Sequence, residues 1–172
     1  MEAGLLSRRH WLLALLAAAG AAPARAQHAA EPWPADRPLP PLVATDLAGR
    51  QWDLAALRGQ PVLINFWATW CPPCKEEMPT LQTLHELESG RLTVLAVNVR
   101  EGPRRVRRYL QSAGLTLPVL PDPEGEITRA WDMTVFPTTV LIDASGRPRQ
   151  LVRGAVDWAG PQALDWIEAL RS

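Results

Sequence analysis

Residues 59–79 read GQPVLINFWATWCPPCKEEMP, and the fold turns on how that stretch divides. Residues 61–68 are an unbroken run of apolar and β-branched side chains bounded by Gly59, the pattern of a strand buried on both faces. From 71 to about 88, Met78, Leu81, Leu84 and Leu87 recur at three-residue steps, which gives a one-sided helix with Pro79 as a kink. Cys71 and Cys74 fall where strand becomes helix. A thiol there faces unpaired backbone N–H groups and the positive end of the helix dipole, and both favour an anion. Such a setting can lower a thiol pKa from about 8.5 to about 3.5–7.5. Cys71 is therefore expected to attack a disulfide, and Cys74, nearly one turn on and more enclosed, to resolve the mixed disulfide that results. Pro72 and Pro73 lack N–H groups and fix the turn into the helix, where proline is tolerated.

Downstream, residues 92–99 read as another buried strand, and 103–113 as a helix with Val106, Tyr109 and Leu110 on one face. Residues 117–120 are short and strand-like, and 124–131 form a short helix. Residues 138–142 and 150–153 flank Asp143-Ala144-Ser145-Gly146, a hairpin with a four-residue connection, and 161–170 carry Leu164, Ile167 and Leu170 on one side of a last helix. Upstream, 42–46 and 51–54 flank Gly49-Arg50 as strand, turn and strand, and Asp53 can cap a helical turn through Leu57. The order is that of an α/β domain, a mixed central sheet covered by helices.

The chain has 172 residues, enough for one domain with one core of ordinary size. Residues 1–26 carry Arg8 and Arg9, an apolar run from Trp11 to Ala22, and Ala24-Arg25-Ala26, the layout of a cleavable export signal. Ser7-Arg8-Arg9-His10-Trp11-Leu12 has the form of a twin-arginine signal, with general secretion as the alternative. The apolar run is about a dozen residues against the roughly 20 of a spanning helix, so a permanent anchor is not expected. Residues 27–41, rich in proline and alanine, read as an extended linker, and 42–172 as the folded domain. Removing 1–26 leaves 15 basic and 17 acidic residues. No bias toward nucleic acid follows, and the Arg100 to Arg108 cluster reads as a solvated helix face.

Two other uses of a cysteine pair compete with redox chemistry. As a structural crosslink it would close a loop too short to constrain the unfolded chain much. Zinc needs about four ligands, whereas His10 lies in the signal, His28 at its edge, and His85 alone on a helix. No metal and no bound cofactor are expected; the cysteines are the redox group.

With GQPVLINFWATWCPPCKEEMP at 59–79, VFPTTVLIDASG at 135–146 and Gly154, the segment 46–154 resembles the thioredoxin superfamily. Within it, the segment is similar to the TlpA/ResA-like group of exported, membrane-facing thiol-disulfide oxidoreductases. The resemblance implies a thioredoxin fold with an N-terminal β-hairpin extension. It implies that Pro137 is a cis-proline opposite the cysteines. It also implies that Val135 and Phe136, with Trp70, Pro72 and Pro73, line a groove where the substrate chain docks. Trp67 is expected in the core. Many thioredoxins carry a buried aspartate six residues before the first cysteine, where this chain has Asn65; an amide cannot take up a proton in its place. Glu77, which matches a glutamate of the TlpA/ResA motif, is expected to assist Cys74 instead, and Glu76 to be a solvated first-turn acid.

Peroxiredoxins carry a threonine or serine where this chain has Ala68 and a proline where it has Ile64, so peroxidase activity is not expected. The Gly-Ala-Pro-Glu of cytochrome-maturation thioredoxins is Val135-Phe136-Pro137-Thr138 here, a departure from that subgroup. The resemblance implies a periplasmic monomer that reduces disulfides of exported proteins and is itself reduced by a membrane thiol reductant. Its substrates would be the Cys-x-x-Cys-His sites of apocytochrome c or the cysteine pair of a copper-delivery protein. An oxidising disulfide donor and a Cu(I)-binding carrier are the alternatives; Met78 and Met133 are expected in the core rather than in a copper site.

Overall fold

The computed structural model describes residues 30–171. The export signal read in residues 1–26, with its twin-arginine motif, and His28 lie outside the described residues.

The strand that opens the motif is Val62–Trp67 (β4), every residue of it buried. It is central because both its neighbours are strands of the same sheet: Thr93–Val99 (β5) pairs with it in parallel and Thr138–Ile142 (β7) antiparallel. Beyond β5 lies Val119–Asp122 (β6), parallel, and beyond β7 lies Pro148–Arg153 (β8), antiparallel. Ala30–Pro32 (β1) closes the other edge, giving the order β1-β8-β7-β4-β5-β6. Val43–Thr45 (β2) and Gln51–Asp53 (β3) form a separate antiparallel pair, the expected hairpin extension. Asp53 caps the 3₁₀ turn Leu54–Leu57 by accepting the Ala55 N–H.

Period-two alternation divides β4 between two cores. Leu63 and Trp67 face one, which also holds Met78, Leu81 and Leu84 of Pro72–Leu87 (α1), Val106 of Pro103–Ala113 (α2), and Ala163 and Ile167 of Pro161–Ala169 (α4). Ile64 and Phe66 face the other, with Leu95, Val97, Trp52 and Trp131, the residue that ends Glu126–Ala130 (α3). Asn65 therefore lies on the α1 side. Pro79 sits within α1, which continues through it to Leu87.

The segment expected as a linker is corrected in part. Ala30, Glu31 and Pro32 pair with Val152, Leu151 and Gln150 of β8, and Trp33 is buried edge-on against Trp131, with ring centroids 6.4 Å apart. Arg37 donates to the Trp131 carbonyl and stacks over Trp33. Three strand residues are too few to show an alternating pattern, and proline at an edge strand loses no ladder bond it needs. Other bounds shift for local reasons. The sixth strand starts at Val119, after Pro118, and ends at Asp122, not Leu120. The short helix begins only at Glu126, after Gly125 in the left-handed region. Five residues, 143–147, join β7 to β8 rather than four, and β8 starts at Pro148, two residues before the expected Gln150.

Trp33→Ala tests whether the N-terminal segment is part of the folded unit. Loss of the buried ring is expected to lower the unfolding free energy by about 3 kcal/mol in urea titrations, whereas a free linker would leave the midpoint unchanged.

Candidate active site

Strand β4 ends at Trp67, and the turn from Ala68 delivers Cys71 to the head of α1, with the Cys71 N–H bonded to the Ala68 carbonyl at 3.2 Å. Cys71 is the N-cap of α1: its Sγ accepts the Cys74 N–H at 3.3 Å. Pro72 and Pro73, exposed and half-buried, occupy the first two helical positions, where their missing N–H groups cost nothing. Cys71 and Cys74 are joined by a disulfide with an S–S distance of 2.12 Å, and among the described residues no cysteine is free. Cys71 is 4% exposed and Cys74 is fully enclosed, so an approaching group can reach only the first sulfur.

Across from the disulfide, the Phe136–Pro137 peptide bond is cis. The Phe136 carbonyl oxygen lies 3.7 Å from Cys71 Sγ. Trp70 and Val135, about half exposed, are two of the four large hydrophobic side chains open to solvent among the described residues. Trp70 meets the half-buried Phe136 edge to face, with centroids 6.1 Å apart. Beside them a cavity of about 270 Å³ is lined by Trp70, Phe136, Met133, Val99, Thr134 and Arg100. The cysteines, Pro137 and the apolar residues expected to dock a substrate thus share one face. Trp67 is in the core against Tyr109, as are Met78 and Met133.

Glu77, three residues after Cys74 on the same side of α1, is 2% exposed. Its carboxylate accepts the Asn65 amide at 2.7 Å, the Val156 N–H at 3.1 Å and the Trp158 indole N–H at 3.1 Å. Burial outweighs these three donors and raises its pKa from the usual 4.5 to about 7. Asn65 also donates to Thr139 Oγ1 at 2.9 Å, which leaves its own Oδ1 buried without a partner among the described residues. Glu76 is exposed, as a first-turn acid should be.

The partners Val156, Trp158 and Thr139 carry no local sequence signal, because they stand 74 to 81 positions from the groups they meet. The available clue was Asn65 itself, an amide within an otherwise apolar strand. His85 is far from this cluster in role: it is half-buried on α1, and burial lowers its pKa. Among the described residues no group of three or more His, Cys, Asp or Glu side chains is placed to hold a metal ion. No helix among them is long and apolar enough to cross a membrane.

Comparison with known proteins follows the same lines. The AhpC/TSA family matches residues 35–150. The thiol-disulfide oxidoreductase ResA of Geobacillus kaustophilus is 37% identical over 118 residues, 68% of each chain. ResA of Bacillus subtilis is 35% identical over 118 residues, 68% of this chain and 66% of that one. Among solved structures, StoA of Bacillus subtilis superposes with a TM-score of 0.65 at 24% identity, over 74% of this chain and 97% of that one, a likeness of fold.

The Glu77 environment makes stability depend on pH. Between pH 4.5 and about 7 the folded chain keeps a proton on Glu77 that the unfolded chain releases, so stability falls as pH rises through this window. The full loss is on the order of 3 kcal/mol above it. With the disulfide intact, the difference in unfolding free energy between wild type and Glu77→Gln should change by that amount between pH 4.5 and 8. A difference that stays flat would show that Glu77 titrates normally.

Proposed function

Because this chain belongs to the thioredoxin-like AhpC/TSA family and is a thiol-disulfide oxidoreductase, we propose that it reduces disulfides of exported proteins through a mixed disulfide on Cys71. The observation that carries the exchange on Cys71 is the placement of its Sγ, at the head of α1 and 3.7 Å from the carbonyl that precedes the cis-proline; the reducing direction follows the family resemblance. A helix N-terminus stabilises a thiolate. The Phe136 backbone offers an extended substrate chain a hydrogen-bonding edge, and Trp70 and Val135 offer it apolar contact.

The chemistry runs in two exchanges. The Cys71 thiolate attacks one sulfur of a substrate disulfide, forms the Cys71–substrate bond and releases the other sulfur as a thiolate. Cys74 then gives up its proton and attacks Cys71 Sγ, which forms the Cys71–Cys74 disulfide and releases the second substrate thiolate. Two electrons pass to the substrate, and no bound cofactor takes part. Glu77 receives the proton from Cys74: a carboxyl poised near 7 can take up and return a proton at neutral pH, as Asn65 cannot. Pro137 and the residues before it hold the substrate strand beside Cys71. The released product thiols fit the Cys-x-x-Cys-His sites of apocytochrome c or the cysteine pair of a copper-delivery protein. A membrane thiol reductant restores the dithiol. Residues 1–26 direct the chain to the periplasm as a cleavable signal of twin-arginine type, and the protein acts there as a monomer.

Position 68, where a peroxidase would need a hydroxyl, is a buried alanine, which supports disulfide over peroxide as the substrate. In Cys74→Ala the resolving step is lost, so the mixed disulfide on Cys71 should accumulate and be recoverable by mass, whereas Cys71→Ala should trap nothing. A reduction potential well below about −200 mV is expected for a reductant; a value near about −120 mV would reverse the direction of electron flow.

A further inference from the structure

The turn that carries Cys71 is held from its other side by a buried carboxylate that the two exchanges do not use. Glu101 stands between the end of β5 and the start of α2 and is 5% exposed. Its Oε2 accepts the Thr69 N–H at 2.6 Å and the Asn98 amide at 3.0 Å. Its Oε1 accepts the Thr69 hydroxyl and pairs with Arg105 Nε at 2.9 Å. Arg105 Nε also donates to Thr69 Oγ1 at 2.9 Å. Four donor groups converge on one side chain, and only a deprotonated carboxylate, which has no proton of its own in the way, can accept all of them. A buried ion is costly unless paired and bonded, and this one is both. Arg105 supplies the countercharge from the rim, its side chain more than half exposed.

The lever from this cluster to the redox site is short. Thr69 is two residues before Cys71, and it follows Ala68, whose carbonyl holds the Cys71 N–H. Between clamp and sulfur stands only Trp70, half exposed and touching Phe136 edge to face. We propose that Glu101 is a positioning residue for the attacking thiol: by fixing both polar groups of Thr69 it keeps Cys71 Sγ at the head of α1, where the Cys74 N–H reaches it. When the clamp is released, the turn gains freedom, the sulfur spends less time at the helix terminus, and the thiolate loses part of its stabilisation. Arg105 belongs to the device, because without it an uncompensated Glu101 charge would stand near the thiolate and oppose its formation. The other charged groups about this turn are Glu77, buried on α1, and Lys75 and Glu76, exposed on its first turn; Arg100 lines the cavity beside Trp70.

The inference rests on Cys71 being the attacking thiol, and the experiment separates the two. Reduced wild type, Glu101→Gln, Arg105→Met and Thr69→Val are alkylated with iodoacetamide across pH 4–10, and the rate at Cys71 is read by mass spectrometry. Glu101→Gln replaces an acceptor oxygen with a donor; it also removes a negative charge, which alone would favour the thiolate, and the loss of the sulfur's position is expected to outweigh this and raise the Cys71 titration by about one pH unit, lowering the alkylation rate at pH 6 about ten-fold. At high pH, where every chain is fully thiolate, the rates should converge. Thr69→Val and Arg105→Met should shift the titration in the same direction by less. A merely structural role would lower the unfolding midpoint and leave the titration in place. Folded Glu101→Gln titrating as wild type overturns the clamp. If that variant does not fold, wild-type titrations in both Thr69→Val and Arg105→Met overturn it. Should Cys71 of the wild type titrate like an ordinary thiol, the assignment of the nucleophile fails, and the clamp with it.

Discussion

One hydrogen bond at the head of α1, from the Cys74 N–H to Cys71 Sγ at 3.3 Å, sets what the rest of the structure has to do. A sulfur at that place sits among backbone donors that the helix cannot satisfy internally, which is the condition for a stable thiolate. Holding it there requires a strand that ends in register with the helix and a helix that starts without delay. Strand β4 meets the first need because it is paired on both sides and buried throughout. Pro72 and Pro73 meet the second by fixing the backbone at the first helical positions. The cis-proline loop closes the arrangement, because β7, which it introduces, is the antiparallel neighbour of β4.

Two buried carboxylates stand about the redox turn and differ in their surroundings: Glu77 is three residues after Cys74 on α1, and Glu101 is bonded to Thr69, two residues before Cys71. Glu77 has three neutral donors and, among the described residues, no paired cation, and burial raises its pKa to about 7. Glu101 has donors and the Arg105 guanidinium. The first is suited to moving a proton at neutral pH, the second, bonded on both oxygens and paired with a cation, to holding a loop still. Both lean on asparagines set into apolar strands, Asn65 in β4 and Asn98 in β5, and each of these has an Oδ1 buried without a partner among the described residues. An amide so placed costs stability unless it positions something. Each donates to a buried carboxylate, Glu77 and Glu101 respectively.

Much of this could be read from residues 59–79, because a fully apolar strand followed by a three-residue apolar period and a proline-flanked cysteine pair leaves few arrangements open. The helix at Pro103–Ala113 and the hairpin of β2 and β3 were legible for the same reason, a clear period or a glycine turn. Three things were not. The edge strand Ala30–Pro32 is too short to carry an alternation and is held by tertiary contact through Trp33. The partners of Glu77 at Val156 and Trp158 come from a segment far along the chain, placed by the packing of α4 against α1 rather than by any local pattern. Glu101 lies among arginines and reads in sequence as one charge of a solvated face; only the fold shows that its side chain turns inward.

The proposed exchange requires Cys71 to be the ionised and accessible member of the pair and Cys74 to be neither. Brief alkylation of the fully reduced protein at pH 6, followed by mass mapping, measures this directly. Cys71 should be modified at least about ten-fold faster than Cys74. Equal rates, or a faster Cys74, would contradict the assignment of attacking and resolving thiols.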